Sequence, residues 1–276
     1  TDCIVGVGGH DHPLSALITG AIKYGVMSNS IGTAECLLTG IEKPSFDLRL
    51  IDLGFAEHVI VSSDRQYYYL FGSIWTTSAS IDWIKNIVAG KESFSEIINK
   101  VKAIPSGANG VNFFPHLRFG SPPNPVQNSR GAFTGLSTDT DSSTLLRAVL
   151  EGVSLDTKHV FETMIKQLNT SYEEILTTGG ATQNKLLLQI RSDILNKKLK
   201  VINLVETVSL GAAFSGAIAA GYFLNFDEVI ENLDFETEII NPNENNTVFY
   251  DRLYQDIFVP VLEHILKINE LSLKKR

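Results

Sequence analysis

The chain has 276 residues, a formal net charge of −8, and 43% hydrophobic and 20% charged residues. That balance is globular and excludes a dedicated nucleic-acid binder, which needs a concentrated basic face to replace phosphate counterions. No stretch reaches the roughly 18 apolar residues of a membrane span, and no secretory signal is visible.

Two cysteines far apart, Cys3 and Cys36, fit small buried thiols in a reducing, cytoplasmic compartment better than a disulfide framework. The basic run Lys274-Lys275-Arg276 reads as a solvated tail. The triplets Asn169-Thr170-Ser171 and Asn245-Asn246-Thr247 match the glycosylation pattern by chance if the chain is not secreted. A start at Thr1-Asp2-Cys3, running straight into an apolar segment, reads as a portion of a longer protein.

In chain order, Cys3 to Val7 reads as a buried strand ending at Gly8-Gly9. Pro13 suits the first turn of a helix whose Leu14, Leu17, Ile18 and Ile22 share a face. Strands follow over Met27–Ile31, Glu35–Thr39, His58–Ser62 and Tyr67–Phe71, then helices over Trp75–Val88 and Phe94–Val101, and a short strand over Val111–Phe114. Residues 115–130, with four prolines, read as a loop. Asp141 or Ser142 caps a long helix in which Leu146, Val149, Leu150, Val153, Val160, Phe161, Met164 and Leu168 recur at about 3.6 residues. A strand Ile175–Thr178, a helix from Asn184 to Leu195 and a strand Lys200–Leu204 follow. The Gly- and Ala-rich helix Ser209–Phe223 is expected to sit close against a sheet, and a final helix spans Val248–Ile268. Strands alternating with helices specify an α/β chain with a mixed sheet and helices on both faces.

Three turns carry chemistry. Gly8-Gly9-His10-Asp11-His12 joins a strand end to a helix start, where ligands gather in open α/β sheets. Asp11 there serves either as a general base or as a helix cap; His10-Asp11-His12 as a metal cluster is a third reading, weakened because the strand ends there. Ser30-Ile31-Gly32-Thr33-Ala34 is either an anion-binding turn or a plain hairpin. Thr177-Thr178-Gly179-Gly180-Ala181 either admits a nucleotide beside its glycines or is a tight strand-to-helix turn. It is not a Walker loop, since no Gly-Lys-Ser/Thr follows. Asp193 reads as a surface residue or a contact to a neighbouring turn.

Taken in order, Gly8-Gly9-His10-Asp11, Ser30-Ile31-Gly32-Thr33, Arg130-Gly131-Ala132-Phe133-Thr134-Gly135-Leu136, Arg147-Ala148-Val149-Leu150-Glu151-Gly152, Thr178-Gly179-Gly180-Ala181-Thr182-Gln183-Asn184 and Leu210-Gly211-Ala212-Ala213 resemble the C-terminal domain of the FGGY family of carbohydrate kinases. The resemblance extends from Ile4 to about Phe223, more loosely beyond, so that 1–276 is read as one such domain. It implies the actin-like, ribonuclease-H-like ATPase fold, ATP with Mg²⁺ as cofactors, and transfer of phosphate to a hydroxyl of a sugar or polyol. It also implies an N-terminal sugar-binding domain of the same protein as partner, absent from this chain, without which the chain transfers no phosphate; a homodimer is admitted.

By position, the resemblance implies that Asp11 is the catalytic base, with His10 beside it at the acceptor and Asp11 within reach of the Mg²⁺ of Mg-ATP. Gly32 and Thr33 correspond to the phosphate loop near the γ-phosphate. Gly131 and Gly135 correspond to the segment lining the phosphate side of the nucleotide, and Gly179, Gly180, Ala181 and Asn184 to the adenosine motif. Phosphoryl transfer asks mainly for positioning and charge neutralisation, which backbone-rich turns and one carboxylate can meet. One departure stands out: Pro115-His116-Leu117-Arg118-Phe119-Gly120-Ser121-Pro122 lacks the Glu-Arg pair that the family often carries before its proline. Two other readings remain at this point: a non-kinase ATPase of the same fold, and a sugar-responsive binding module that uses no ATP.

Overall fold

A computed structural model describes residues 3–32, 34–62, 64–88, 94–204 and 206–273. Thr33 and the basic tail 274–276 lie outside the described residues. The element order is α1 (Asp11–Ile18), β1 (Met27–Ile31), β2 (Glu35–Ile41), α2 (Leu48–Asp52), β3 (Phe55–Val61), β4 (Gln66–Ile74), α3 (Thr77–Val88), α4 (Phe94–Ala103), β5 (Asn112–Phe114), β6 (Ala132–Thr134), α5 (Ser142–Leu168), β7 (Glu174–Thr178), α6 (Lys185–Leu195), β8 (Lys198–Ile202), α7 (Thr207–Ala219), α8 (Phe226–Glu231), β9 (Thr237–Ile240), α9 (Glu244–Leu253) and α10 (Val259–Leu273).

One mixed sheet runs β3-β4-β2-β1-β7-β8-β9, and β5 and β6 form a separate ribbon. The β1–β7 and β7–β8 pairs are parallel, whereas β1–β2, β2–β4, β3–β4 and β8–β9 are antiparallel. Alternation along the strands feeds two cores, because successive side chains leave a strand on opposite faces. Leu37, Met27, Ile31 and Leu70 pack with Val160, Phe161 and Met164 of α5 and Leu188 of α6. Cys36, Leu38, Ile60 and Tyr69 pack on the other face with Leu14 and Leu17 of α1 and with Phe226.

Local chemistry explains the helix ends. Asp141 caps α5, its Oδ1 accepting from Thr144 N at 2.7 Å; Asn184 caps α6, its Oδ1 accepting from Leu187 N at 3.1 Å. The motif Arg147-Ala148-Val149-Leu150-Glu151-Gly152 does structural duty. Glu151 Oε1 accepts from Arg147 Nε at 2.6 Å and from Tyr250 OH at 2.8 Å, tying α5 to α9, while Gly107 N donates to both carboxylate oxygens at 3.1 Å. Burial pushes the Glu151 carboxyl above its ordinary value, against the Arg147 charge and these hydrogen bonds.

Several expectations are corrected. Cys3–Val7 forms no strand: Ile4, Val5 and Val7 are 62%, 89% and 98% exposed. The described sheet ends at β3 and β9, and the segment runs instead along α7, where a β-carbon on Gly6 would stand 2.6 Å from Ala219 Cβ. A strand needs a ladder edge beside it, whatever its hydrophobicity. Cys3 is accordingly exposed; only Cys36 is buried, and both thiols are free.

The small residues of α7 serve a helix, not a sheet: a β-carbon on Gly211 would stand 2.5 Å from Leu14 O of α1. Asp193 is buried, not on the surface, and binds the neighbouring turn through Asn243 N and Asn246 Nδ2, both at 2.8 Å. Just past the expected loop 115–130, Ala132–Thr134 forms the short strand β6 paired with β5, and the expected final helix is met by α9 and α10, which run on through one wider helical stretch at Tyr254–Phe258 with helical backbone across it. Three- to five-residue elements such as α2 and β6 are too short to carry a periodic signal.

Candidate active site

The site is built at the carboxyl ends of β1 and β7. These strands run parallel, with Ser30 beside Thr178 in register, so the Gly32 and Gly179–Gly180 turns leave the sheet side by side. Their contact is direct. Gly179, at φ 100°, has no side chain because a β-carbon would stand 2.5 Å from Ile31 O. Gly32 N donates to Ala34 O at 3.0 Å, closing the first turn, and Ser78 Oγ donates to Gly32 O. In the second turn Thr182 N and Oγ1 both donate to Gly179 O, at 3.1 and 2.8 Å. A β-carbon on Gly180 would meet nothing within 4 Å, so that glycine faces open space.

Helix α1 is pinned across both strand ends. His12 Nδ1 lies 3.0 Å from Ser30 Oγ, and Ser15 Oγ lies 3.4 Å from Thr178 Oγ1 while donating to Thr207 Oγ1 at the start of α7 at 2.9 Å. Asp11 opens α1, and its side chain is 58% exposed. It does not act as the cap of its own helix, since His10 holds that position without a side-chain bond. Asp11 Oδ1 accepts from His12 N at 2.9 Å and lies 2.9 Å from His10 Nδ1.

A cleft of about 370 Å³ opens beside Asp11, lined also by His10, His12, Ala34, Glu35, His58, Tyr69, Phe71 and Trp75. The rings form one wall: Phe71 lies 6.2 Å from His10, 6.3 Å from His12 and 5.9 Å from His58, centroid to centroid, and Tyr69 stacks on His58 at 5.3 Å. Burial lowers the His12 imidazole below the ordinary histidine value, with Asp11 and Glu35 opposing and His10 reinforcing. Burial and then His10 lower His58 in the same way. His12 and His58 are therefore biased toward their neutral forms, which both donate and accept hydrogen bonds and suit hydroxyl groups.

The structure brings His10, Asp11, the Gly32 turn and the Gly179–Asn184 turn to one end of the sheet. Ala181 packs between the two cores flanking α6, and Asn184 carries the α6 cap. Gly131 and Gly135 flank β6 and, like Gly32, Gly179, Gly180, Ala181 and Asn184, are absent from the lining of the Asp11 cleft. Their β-carbons would strike Phe114 O at 2.7 Å and Gly110 O, respectively, so ribbon packing by itself requires glycine at both. His10, Asp11 and His12 form no metal centre; among the described residues no group of three or more His, Cys, Asp or Glu side chains is placed to hold an ion. Sequence reasoning missed the wall of His58, Tyr69, Phe71 and Trp75, which strand pairing alone assembles. It also missed Glu35, although a carboxylate opening an apolar strand was a visible signal.

Comparison with known proteins fits this geometry. Residues 27–220 match the FGGY family of carbohydrate kinases, C-terminal domain. The chain belongs to that family. Among its relatives, xylulose kinase of Bacillus subtilis is 26% identical over 262 residues, covering 95% of this chain and 51% of that protein. Glycerol kinase of Limosilactobacillus reuteri is 29% identical over 229 residues, covering 82% and 44%. Among solved structures, the ligand-bound xylulose kinase from Lactobacillus acidophilus superposes with a TM-score of 0.78 at 21% identity, covering 95% of this chain and 51% of that one. Plasmodium falciparum glycerol kinase with ADP gives 0.77 at 21%, covering 93% and 50%. The fold is thus the actin-like ATPase fold of FGGY kinases. The chain spans about half the length of the relatives it matches.

Proposed function

We propose that this chain is the nucleotide-binding half of a carbohydrate kinase that transfers phosphate from ATP to a hydroxyl of a sugar or polyol, with Asp11 as general base. The observation that carries this reading is the position of Asp11. It is exposed at the cleft it shares with Ala34 and Glu35, on a helix pinned by His12–Ser30 and Ser15–Thr178 to the two strands that end in glycine turns.

In this reading the Asp11 carboxylate takes the proton of the attacking hydroxyl. His12 N and His10 Nδ1 hold one carboxylate oxygen, each at 2.9 Å, and so fix the orientation of the other for the acceptor. His10 and the neutral His12 and His58 bind acceptor hydroxyls along the aromatic wall. The Gly179–Asn184 turn takes the adenosine end of ATP, since Gly180 faces open space and the α6 N-terminus follows. The Gly32–Ala34 turn, with Thr33, takes the terminal phosphate. ATP when bound supplies the phosphoryl group, and Mg²⁺ with it neutralises the phosphate charge, with the exposed Asp11 carboxylate in the cleft to assist. Gly131 and Gly135, on either side of β6, line the phosphate side of the nucleotide in this reading.

The partner in catalysis is the N-terminal half of the same protein, closing over Asp11. Ile4, Val5 and Val7, exposed a few residues ahead of Asp11, offer it an apolar surface. The exposed apolar edge around Phe46, Leu48 and Val61 leaves room for self-association on the sheet face away from Asp11. The compartment in this reading is the cytoplasm. An ADP-release screen of the full-length protein with pentuloses, hexuloses, polyols and gluconate tests the activity. ADP release that depends on one of these acceptors supports it, and ATP turnover indifferent to all of them refutes it.

A further inference from the structure

We propose that Glu35 and Arg191 are a buried positioning pair that fixes the spacing between the two glycine turns, so that a ligand held at both ends at once depends on it. This rests on the reading of those turns as the nucleotide site. Glu35 is the first residue of β2, directly after the Gly32–Ala34 turn. Arg191 lies seven residues beyond Asn184, about 10 Å along α6 from the other turn. Both side chains are fully buried.

Glu35 Oε1 accepts from Asn29 Nδ2 at 2.8 Å, from Thr157 Oγ1 at 3.0 Å and from Arg191 Nη1; Oε2 accepts from Arg191 Nη2 at 3.2 Å. Arg191 also donates from Nη1 to Asn29 Oδ1 at 3.1 Å and from Nε to Ser154 Oγ at 3.3 Å. The network therefore joins β1 and β2, on either side of the first turn, to α6, which follows the second, with α5 contributing Ser154 and Thr157.

Stability alone does not call for such a pair. Two buried charges lose their hydration, and well-packed apolar residues of similar volume commonly hold a core as well or better. What a guanidinium–carboxylate fork adds is direction, since two parallel hydrogen bonds admit one relative orientation. Gly179 against Ile31 fixes where β7 ends beside β1, and the buried Leu187, Leu188, Ile190 and Ile194 seat α6 between the two cores through apolar contacts, which carry no direction of their own. Arg191 adds an oriented tie from the second turn of α6 to the first residue of β2. A ligand touching only the Gly179–Asn184 turn is insensitive to this spacing, whereas one spanning to the Gly32 turn is not.

The test is binding of Mg-ATP and of AMP, by calorimetry, to the full-length protein carrying this chain, with thermal melts alongside. In the double variant Glu35→Leu/Arg191→Met, which removes both charges together, AMP affinity stays within about twofold of wild type while ATP affinity falls roughly tenfold or more. Arg191→Lys keeps the charge and loses the fork. It gives a smaller loss in the same ATP-to-AMP ratio and serves as the measurement if the double variant does not fold. A folded variant that loses ATP and AMP equally, or neither, overturns the pairing role. A wild-type protein that binds neither nucleotide overturns the reading of the turns themselves, and this proposal with it.

Discussion

Gly179 presses its bare α-carbon against the carbonyl of Ile31, close enough that a β-carbon would stand 2.5 Å from that oxygen. This contact seats one glycine turn beside the other. Gly179→Ala adds both that clash and an unfavourable φ of 100°, and is expected to cost about 1–3 kcal/mol of stability. Gly180→Ala next to it meets nothing within 4 Å and has no positive φ. It is expected to melt as wild type yet bind Mg-ATP more weakly, because the methyl fills the space left for the nucleotide. Melts and calorimetry on the two variants separate the effects; weakened binding in neither refutes the nucleotide assignment.

Asp11→Asn removes the proton acceptor while leaving an isosteric group for the His12 N contact. In the full-length protein its turnover is expected to drop by about 10²–10⁴-fold, with Mg-ATP affinity little changed. Near-normal turnover would take Asp11 out of the chemistry.

The contact of α7 with α1 is a packing matter, and two glycines on different faces of α7, Gly211 buried and Gly216 exposed, test it. Gly211→Ala drives a methyl toward Leu14 O, 2.5 Å away, and is expected to destabilise by about 1–3 kcal/mol. Gly216→Ala, exposed and with nothing within 4 Å, is expected to stabilise by about 0.5–1 kcal/mol through helix propensity. Chemical denaturation of both reads the sign of each.

Acid should weaken the fold through its histidines. Burial lowers His12, His58 and His159 below their ordinary value of 6.5. The unfolded chain therefore binds more protons than the folded one below that pH, so stability is full above about 6.5 and falls as the pH drops beneath it. Melting temperatures from pH 8 to 5 are expected to hold level at first and then decline. In His159→Gln, which removes the imidazole bonded to Tyr254 OH at 2.8 Å, the decline is expected to be smaller. A profile flat to pH 5 contradicts this.

The sequence by itself determined most of the longer elements and which turns carry glycine. Periods of 2.0 and 3.6 are local properties of the chain, so β1, β2, α5, β7 and α6 are legible in it, as are the Asp141 and Asn184 caps and the glycines at 32, 179 and 180. Only the tertiary structure decided which turns meet, that Glu35 faces Arg191, that His58 and Phe71 share a wall with Asp11, and that Ile4, Val5 and Val7 lie outside the described sheet. Those outcomes depend on the neighbours a residue acquires across the sheet, and strand order and helix packing bring together residues far apart in the chain, which no local pattern records.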